Sequence, residues 1–324
     1  MFHGPGDLRA EELPVPEPET GELVLRIEAA LTCGTDVKTL RRGHPVMIPK
    51  VPTVFGHEFA GTVAAVGAGV SGFREGDRVV AANSAPCGAC RSCLAGRPNL
   101  CEDLLFVNGA YGEFIALPPR LVASNVVPLG RALPTARAAF AEPLACALHG
   151  IERARVESGQ TVVVFGLGPL GCLLGMAAAA RKARVILVGK SGLRFERVRG
   201  LGIGECLEAT QTEDVVAAIR AATRGSGADV AIDATGRGGC VVFFGGCAPG
   251  TAIRLDTRRA HYEELTLVGA FHHTPELIRR AVELMESGVL APDGLITHRM
   301  RLDAVRQALN LMASGDALKV LIEP

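Results

Sequence analysis

A glycine-rich turn between an apolar run and a helix most constrains what this chain can fold into. The apolar run occupies residues 160–165, and the turn after it has glycines at positions 166, 168 and 171. A helical stretch follows at 172–181, and a second apolar run begins at residue 184. This order of strand, Gly-x-Gly-x-x-Gly turn, helix and strand is typical of a βαβ unit. The sequence therefore predicts an α/β domain.

Each glycine of the turn has its own physical use. Gly166 permits the tight turn, Gly168 lets the backbone approach a pyrophosphate, and Gly171 allows close packing of helix and strand. The helix N-terminus would face the anion. A turn without a ligand is the alternative, but the βαβ setting favours a dinucleotide site. The predicted cofactor-binding residues of the turn are Gly166, Leu167, Gly168, Pro169, Leu170 and Gly171.

The end of the second strand bears on which dinucleotide binds. NAD-binding domains place a carboxylate there for the ribose 2′-hydroxyl, and residues 188–194 contain none. A carboxylate would repel a 2′-phosphate, whereas Lys190, Ser191 and Arg194 offer charge and hydrogen bonds to one. The sequence thus favours NADP over NAD. The alternative is that Lys190 and Arg194 only solvate the start of a helix.

Four of the ten cysteines lie within fifteen residues. Cys87, Cys90 and Cys93 follow one another at three-residue spacings, and Cys101 comes eight residues later. The spacing suits a tetrahedral zinc site, which would be structural because protein fills all four positions. An iron–sulfur cluster uses similar runs, but its bacterial pattern has a proline where this chain has Glu102. The alternative is that the four cysteines are free thiols that bind no metal.

The part before residue 131 predicts a different architecture. Residues 22–29 alternate as a strand, and residues 51–82 read as further strands between glycine-rich turns. No convincing amphipathic helix precedes residue 91. We therefore expect a β-rich domain in the form of a small distorted barrel. It contains the adjacent His57 and Glu58, whose nitrogen and oxygen are good zinc ligands. Such a pair alone is more often a surface pair.

Composition narrows the class of protein. The 324 residues suffice for two domains, and 34 basic residues balance 34 acidic ones. No net charge therefore draws the chain to nucleic acid or to an anionic membrane. No secretory signal is recognisable, and the most apolar stretch, at 170–180, is too short to span a bilayer. We expect a soluble, cytoplasmic protein whose cysteines are thiols.

One connection between two predicted strands in the second half of the chain is too short for a parallel crossover. Residues 228–234 and 240–244 both predict buried strands, and only five residues, 235–239, separate them. Parallel neighbours need a crossover of about a dozen residues or more. Either these strands pair as an antiparallel hairpin, or a helix is missing from the crossover near 236–240.

In combination these motifs resemble the zinc-dependent medium-chain dehydrogenase/reductase family, particularly its alcohol/polyol branch with sorbitol and threonine dehydrogenases. The resemblance covers nearly the whole chain. Besides the four cysteines and the glycine-rich turn, it rests on Cys33-Gly-Thr-Asp, Gly56-His-Glu-x-x-Gly with Gly67, and Glu142-Pro143.

The resemblance implies two domains. A GroES-like catalytic domain would comprise residues 1–130 and 273–324, with a structural zinc lobe at 86–102. A Rossmann cofactor-binding domain would comprise residues 131–272. Its last strand ends near Ala270 and Phe271, which would contribute to the cofactor site.

It also implies the catalytic residues. Cys33 and His57 match the family's catalytic-zinc ligands, and Glu58 matches a carboxylate that binds the metal in sorbitol-dehydrogenase-like members. Glu142 falls where other branches have a second cysteine ligand, so either Glu58 or Glu142 would complete the set. Three protein ligands leave one position for water or substrate. Thr35 matches the hydroxyl that begins the proton relay.

The implied function is zinc-dependent, NAD(P)-linked hydride transfer that interconverts a secondary alcohol or polyol and its ketone. Zinc would stabilise the alkoxide, and the nicotinamide would accept the hydride. The expected partner is a small-molecule substrate, and relatives form dimers or tetramers, so a homo-oligomer is expected. The alternative is a zinc- and dinucleotide-binding protein without turnover, which the short crossover favours.

Overall fold

The computed structural model describes residues 1–190, 192–209, 215–232, 239–246 and 250–324. Within them, no helix is long and apolar enough to cross a membrane. The strands are β1 (Phe2–Gly4), β2 (Asp7–Leu8), β3 (Leu23–Leu31), β4 (Glu58–Val66), β5 (Arg78–Ala81), β6 (Ser84–Ala85), β7 (Leu105–Phe106), β8 (Phe114–Leu117), β9 (Val126–Pro128), β10 (Thr161–Phe165), β11 (Arg184–Gly189), β12 (Glu205–Glu208), β13 (Val230–Ile232), β14 (Cys240–Phe243), β15 (Thr266–Gly269), β16 (Ile296–Arg301) and β17 (Lys319–Glu323).

Helices connect many of these strands. The α-helices are α1 (Gly34–Arg42), α2 (Arg91–Leu94), α3 (Pro119–Asn125), α4 (Thr135–Ala138), α5 (Ala141–Arg153), α6 (Pro169–Ala180), α7 (Leu193–Gly200), α8 (Val215–Ala222), α9 (Thr257–Tyr262), α10 (Pro275–Glu286) and α11 (Val305–Ser314). Short 3-10 turns lie at Pro98–Leu100, Pro292–Leu295 and Leu302–Ala304.

The chain forms two compact units. Met1–Ala145 and His273–Pro324 make the first, and Cys146–His272 makes the second. The first crossing therefore lies inside α5 and not near residue 131 as expected, because one continuous helix carries the chain from one unit into the other.

The first unit is built on a seven-stranded sheet. Its strands follow the order β16-β17-β3-β4-β5-β9, and β8 also pairs with β3. All pairings are antiparallel except that of β16 with β17. Inward side chains such as Leu25, Phe59 and Leu117 are at most 1% exposed and form its core. The prediction of a β-rich, GroES-like domain is confirmed.

Helix α1 corrects the expectation that no helix precedes residue 91. The Cys33 sulfur accepts from the Thr35 N–H, and the Asp36 carboxylate accepts from the Cys33 N–H, so the first turn is capped at both positions. Arg41 and Arg42 lie in the last turn, where cations are favoured. The helix is short and mostly polar, with Val37 and Leu40 as its two large apolar residues, so its clearest signal lies in the caps.

Strand register determines which residues meet in the first unit. β3 and β4 run antiparallel with Leu31 opposite Glu58, which places the ends carrying Cys33 and His57 side by side. β17 pairs with the other edge of β3, with Leu321 opposite Leu31. The N–H of Thr32 donates to the carbonyl of Val320. Segments far apart in sequence therefore converge at one edge of the sheet.

The second unit contains a parallel sheet of six strands in the order β12-β11-β10-β13-β14-β15. Numbered within the unit, this is 3-2-1-4-5-6, the order of Rossmann domains. Val162, Val163 and Val164 of β10 are at most 1% exposed, as expected for a central strand covered on both faces. The predicted Rossmann fold is confirmed.

The strands flanking the short link are parallel. Val230 of β13 lies opposite Cys240 of β14, and the pairing continues in the same direction to Ile232. The hairpin interpretation was therefore wrong, because the buried Val241 and Val242 continue the parallel sheet towards β15. Residues 233–238 of the link lie outside the described part of the chain.

Candidate metal centres and cofactor loop

Cys33, His57 and Glu58 form the first candidate metal centre. Their ligand atoms all lie within 4.8 Å of one another. Cys33 is half-buried, His57 is 4% exposed and Glu58 is fully buried. A thiol, an imidazole nitrogen and a carboxylate oxygen converging at a buried point are a donor set that suits zinc.

Asp36 orients the imidazole of His57. Its Oδ1 atom lies 2.9 Å from Nδ1 of His57, which leaves Nε2 for a ligand. Burial alone would lower the pKa of His57, but the Asp36 charge and hydrogen bond raise it well above its ordinary value. A metal at this site would therefore displace a proton from the ring.

The two carboxylate oxygens of Glu58 have different surroundings. The buried Lys319 ammonium donates to Oε2 of Glu58, whereas the buried Oε1 has no hydrogen-bond partner among the described residues. Burial raises the pKa of Glu58 to about 7, against the lowering effect of Lys319. An orphaned carboxylate oxygen beside a thiol and an oriented imidazole fits a metal ion, because a buried polar atom is otherwise costly.

Lys319 is held by its surroundings as a cation. Burial alone would lower its pKa, but the Glu58 carboxylate reverses that effect and the pKa lies above its ordinary value. Its Nζ atom also lies 6.0 Å from the centre of the Phe140 ring. Lys319 thus forms a buried ion pair with Glu58, which is itself one of the three candidate ligands.

Glu142 lies outside the trio of close ligand atoms, although its charge contributes to raising the pKa of Glu58. It is 9% exposed, and its Oε1 lies 4.0 Å from Nε2 of the buried His273. Thr35 is half-buried in the first turn of α1, where its N–H donates to the Cys33 sulfur over 3.4 Å. Of the predicted catalytic residues, the structure therefore brings the ligand atoms of Cys33, His57 and Glu58 together, and Glu142 lies outside that group.

The four cysteines of the lobe form the second candidate metal centre. They lie on the loop between β6 and β7, and their sulfurs are all within 4.8 Å of one another. The N–H of Cys87 donates to the Cys101 sulfur over 3.2 Å, and that of Cys93 donates to the Cys90 sulfur over 3.5 Å. Backbone N–H groups aimed at sulfur suit thiolates.

Protonation differs among these thiols. Backbone donors, first the N–H of Glu102, lower the pKa of Cys90 to about 6. Burial, together with the neighbouring Cys90, raises the pKa of Cys93 to about 12. The thiolate form is therefore already favoured at Cys90, whereas Cys93 keeps a proton that a metal would have to displace.

The glycine-rich turn joins β10 to α6 as predicted. Gly166 has φ +113°, and a Cβ added at Gly171 would lie 2.0 Å from the Gly166 carbonyl oxygen. A Cβ added at Gly168 would meet nothing within 4 Å, so the turn is open at that point. Pro169 begins the helix, where a missing N–H costs nothing. The turn is therefore tightly packed between Gly166 and Gly171 and open at Gly168, where a phosphate could approach the backbone.

The other predicted cofactor residues differ in exposure. Lys190 is exposed and Arg194 is half-buried, whereas Ser191 lies outside the described residues. Leu167 is buried, and a Cβ added at Gly189 would lie 2.3 Å from its Cγ. After β15, Ala270 is buried and Phe271 is 57% exposed. The side chain of Leu167 is therefore packed inside the unit, whereas Leu170 is half-buried.

Sequence reasoning missed three residues at the first centre. Asp36 follows Cys33 by three positions, so the cap itself is a signal. Lys319 stands inside the apolar run 317–322, where a charge is unusual. Tyr111, whose hydroxyl donates to Asp36, has no sequence signal.

Residues 19–128 match the alcohol dehydrogenase GroES-like domain, and residues 169–287 match the zinc-binding dehydrogenase domain. The chain is 34% identical to the sorbitol dehydrogenase of Bombyx mori, in an alignment covering 99% of this chain and 97% of that protein. This chain belongs to the zinc-dependent medium-chain dehydrogenase family. The alignment spans 343 positions against 324 residues, so at least 19 positions of that relative have no counterpart in this dehydrogenase.

Two further comparisons place this medium-chain dehydrogenase among its relatives. It is 33% identical to the L-threonine 3-dehydrogenase of Mesorhizobium japonicum, over 97% of this chain and 94% of that protein. A solved structure from Sinorhizobium meliloti 1021, described as a zinc-binding dehydrogenase bound to NADP, superposes with a TM-score of 0.89. It is 29% identical, and the match covers 98% of this chain and 96% of that one.

Proposed function

We propose that this dehydrogenase interconverts a secondary alcohol or polyol and its ketone, with zinc and a nicotinamide dinucleotide as cofactors. The observation that carries the proposal is the buried trio of Cys33, His57 and Glu58, with an oriented imidazole and an orphaned carboxylate oxygen. The names of two relatives, sorbitol dehydrogenase and L-threonine 3-dehydrogenase, support the same class of substrate.

The chain's own residues would bind and orient the reacting groups. Cys33 Sγ, His57 Nε2 and Glu58 Oε1 would hold zinc, while Asp36 keeps the proton on Nδ1 of His57. Bound zinc supplies Lewis-acid stabilisation of a developing alkoxide, and the nicotinamide accepts hydride. The Thr35 hydroxyl would take the proton of the substrate alcohol while passing its own proton on, and so would begin the proton relay.

Glu58 is the third ligand in this proposal, and Glu142 is not. Glu58 belongs to the close group of ligand atoms, and its Oε1 has no hydrogen-bond partner in the part of the chain that the structure describes. Glu142 instead lies 4.0 Å from His273 and acts on the site through its charge. The four cysteines would hold a second, structural zinc, because they fill all four positions of a tetrahedron.

The experiment that tests the function is reduction of NADP+ and NAD+ with sorbitol, other polyols, threonine and simple secondary alcohols. Zinc-loaded protein should turn over at least one of them, chelation should abolish the activity, and added zinc should restore it. Folded, zinc-loaded protein that binds dinucleotide but reduces neither cofactor would instead support the binding protein without turnover.

The proposed cofactor preference is NADP. The end of β11 carries no carboxylate, and Leu167 occupies the space beside Gly189 that a side chain there would need. The exposed Lys190 supplies a cation for the 2′-phosphate. The NADP-bound relative supports the same preference.

Lys190→Asp should weaken NADPH binding by roughly 10–100-fold, the value of one hydrogen bond to a charged group, and NADH binding much less. Fluorescence titration of both cofactors measures the difference. Lys182→Asp is the matched control, because this exposed lysine precedes the opposite end of β11 and its φ of +62° is tolerated by aspartate. Equal losses for NADPH and NADH would remove the argument for NADP.

A further inference from the structure

Tyr111 contacts the residue that orients His57. Its hydroxyl donates to Oδ2 of Asp36 over 2.6 Å and lies 3.3 Å from the carbonyl oxygen of Leu31. Burial of the hydroxyl, with the Asp36 charge beside it, raises the pKa of Tyr111 well above its ordinary value. The phenol is therefore a permanent donor at this position.

Asp36 receives a donor from each of three segments. His57 Nδ1 lies 2.9 Å from Oδ1, while the Tyr111 hydroxyl and the Cys33 N–H, at 2.9 Å, donate to Oδ2. Burial alone would raise the pKa of Asp36, but these partners lower it below its ordinary value. Because a carboxylate is planar, donors on Oδ2 fix the rotation that aims Oδ1 at the imidazole.

The ring of Tyr111 fixes a second part of the site. A Cβ added at Gly56 would lie 2.8 Å from the ring carbons, so the ring lies directly on the Gly56 backbone. Gly56 has φ +88° and immediately precedes His57. The N–H of Tyr111 also donates to the Phe55 carbonyl over 2.9 Å. One residue therefore contacts both the backbone before His57 and the carboxylate behind it.

We propose that Tyr111 is a positioning residue for the zinc ligand His57, acting through Asp36 with its hydroxyl and through Gly56 with its ring. The proposal deepens the proposed zinc site and rests on it. Direct partners of metal-bound histidines contribute about 10–100-fold to metal affinity. Tyr111 is one contact further away, so its hydroxyl should contribute roughly 3–10-fold.

Tyr111→Phe tests the hydroxyl because the ring is kept. We expect the zinc dissociation constant of the Cys33–His57–Glu58 site to rise by roughly 3–10-fold in chelator competition on the full chain. Release from the four-cysteine lobe should not change, which makes the lobe an internal control. Cys33→Ser and Cys90→Ser assign the two phases of release. Tyr262→Phe is the matched control, since the chain's other tyrosine is 75% exposed.

A double-mutant cycle with Asp36→Asn separates positioning from a general loosening of the fold. If Tyr111 acts through the carboxylate, Tyr111→Phe should change zinc affinity much less in the Asp36→Asn background. The visible spectrum of the cobalt-substituted site should also shift in Tyr111→Phe, which a change in stability alone would not cause. Unchanged zinc affinity in folded Tyr111→Phe, or the same loss in both backgrounds, would overturn the proposal.

The readout is independent of turnover. If the natural chain binds zinc but oxidises no alcohol, the proposed function fails while the effect of Tyr111→Phe on zinc affinity still decides this inference. If turnover is found and zinc affinity is the same in Tyr111→Phe, only the role of Tyr111 fails.

Discussion

The two candidate zinc sites of the first unit are built in opposite ways. The lobe takes all four ligands from fifteen consecutive residues, and backbone N–H groups of the same loop donate to its sulfurs. The trio of Cys33, His57 and Glu58 gathers ligands from two strand ends and depends on partners elsewhere in the chain. The lobe is self-contained, whereas the properties of the trio are set by its surroundings.

The surroundings differ most in charge. Behind the trio, Asp36 faces His57 and Lys319 faces Glu58, and all four are at most 4% exposed. Charges in such an environment are costly unless each is compensated. The lobe cysteines are half-buried, and backbone N–H groups approach their sulfurs instead. Changes near the trio should therefore alter both metal binding and stability, whereas changes in the lobe should affect mainly stability.

The largest effect should come from Cys33→Ser. The variant loses a proposed ligand at the catalytic site, so turnover should fall by roughly a thousandfold or more, because Lewis-acid stabilisation is worth several kcal/mol. Kinetics with the best substrate, together with the zinc content, provide the measurement, and one zinc per chain should remain in the lobe. If Cys33→Ser turned over close to the rate of the natural chain, Cys33 would not be a ligand of a catalytic zinc.

Cys90→Ser should produce the complementary result. Loss of the lobe zinc should lower the free energy of unfolding by about 4–5 kcal/mol, the scale reached when a structural metal is lost. Urea unfolding measures this change, and turnover per folded molecule should change far less than in Cys33→Ser. A lobe variant that is fully stable but inactive would reverse the assignment of the two sites.

Lys319→Met should have a smaller effect that depends on zinc. Removing one partner of a buried ion pair costs about 3–5 kcal/mol, and the lower end applies because Glu58, with a pKa of about 7, can take up a proton. The loss should be seen by urea unfolding of zinc-free protein and should shrink when zinc compensates Glu58. The double variant Glu58→Gln with Lys319→Met should recover most of it. If Lys319→Met lowered the free energy of unfolding equally with and without zinc, the metal and Lys319 would not both compensate the charge of Glu58.

Prediction from sequence succeeded where the physical cause is local. The glycine-rich turn works through its own backbone and the lobe through its own spacing, so the Rossmann domain and the close approach of the four sulfurs could both be expected. The trio was predicted from a family pattern, and its ligand roles remain a proposal. Helix α1 was missed because it is short and mostly polar, so that its clearest signal lies in its caps.

The remaining features depend on contacts between distant residues. Nothing near Glu58 in sequence indicates that Lys319 will face it, since strand pairing alone brings β17 beside β3. Tyr111 reaches Asp36 across 75 positions because backbone hydrogen bonds hold its loop against Phe55 and Gly56. The length of the link left both a hairpin and a parallel pairing of β13 and β14 open, because the whole sheet determines the direction of a strand.

The pairing of Lys319 with Glu58 also has a consequence for synthesis. The two residues are 261 positions apart, so at about 5–20 residues per second the ribosome adds Lys319 roughly 13–50 s after Glu58. During that interval a nascent chain carries Cys33, His57 and a glutamate that lacks its ammonium partner. Closure of the sheet by β17 is therefore a late event in the life of the newly made chain, and until then Glu58 has no ammonium beside it.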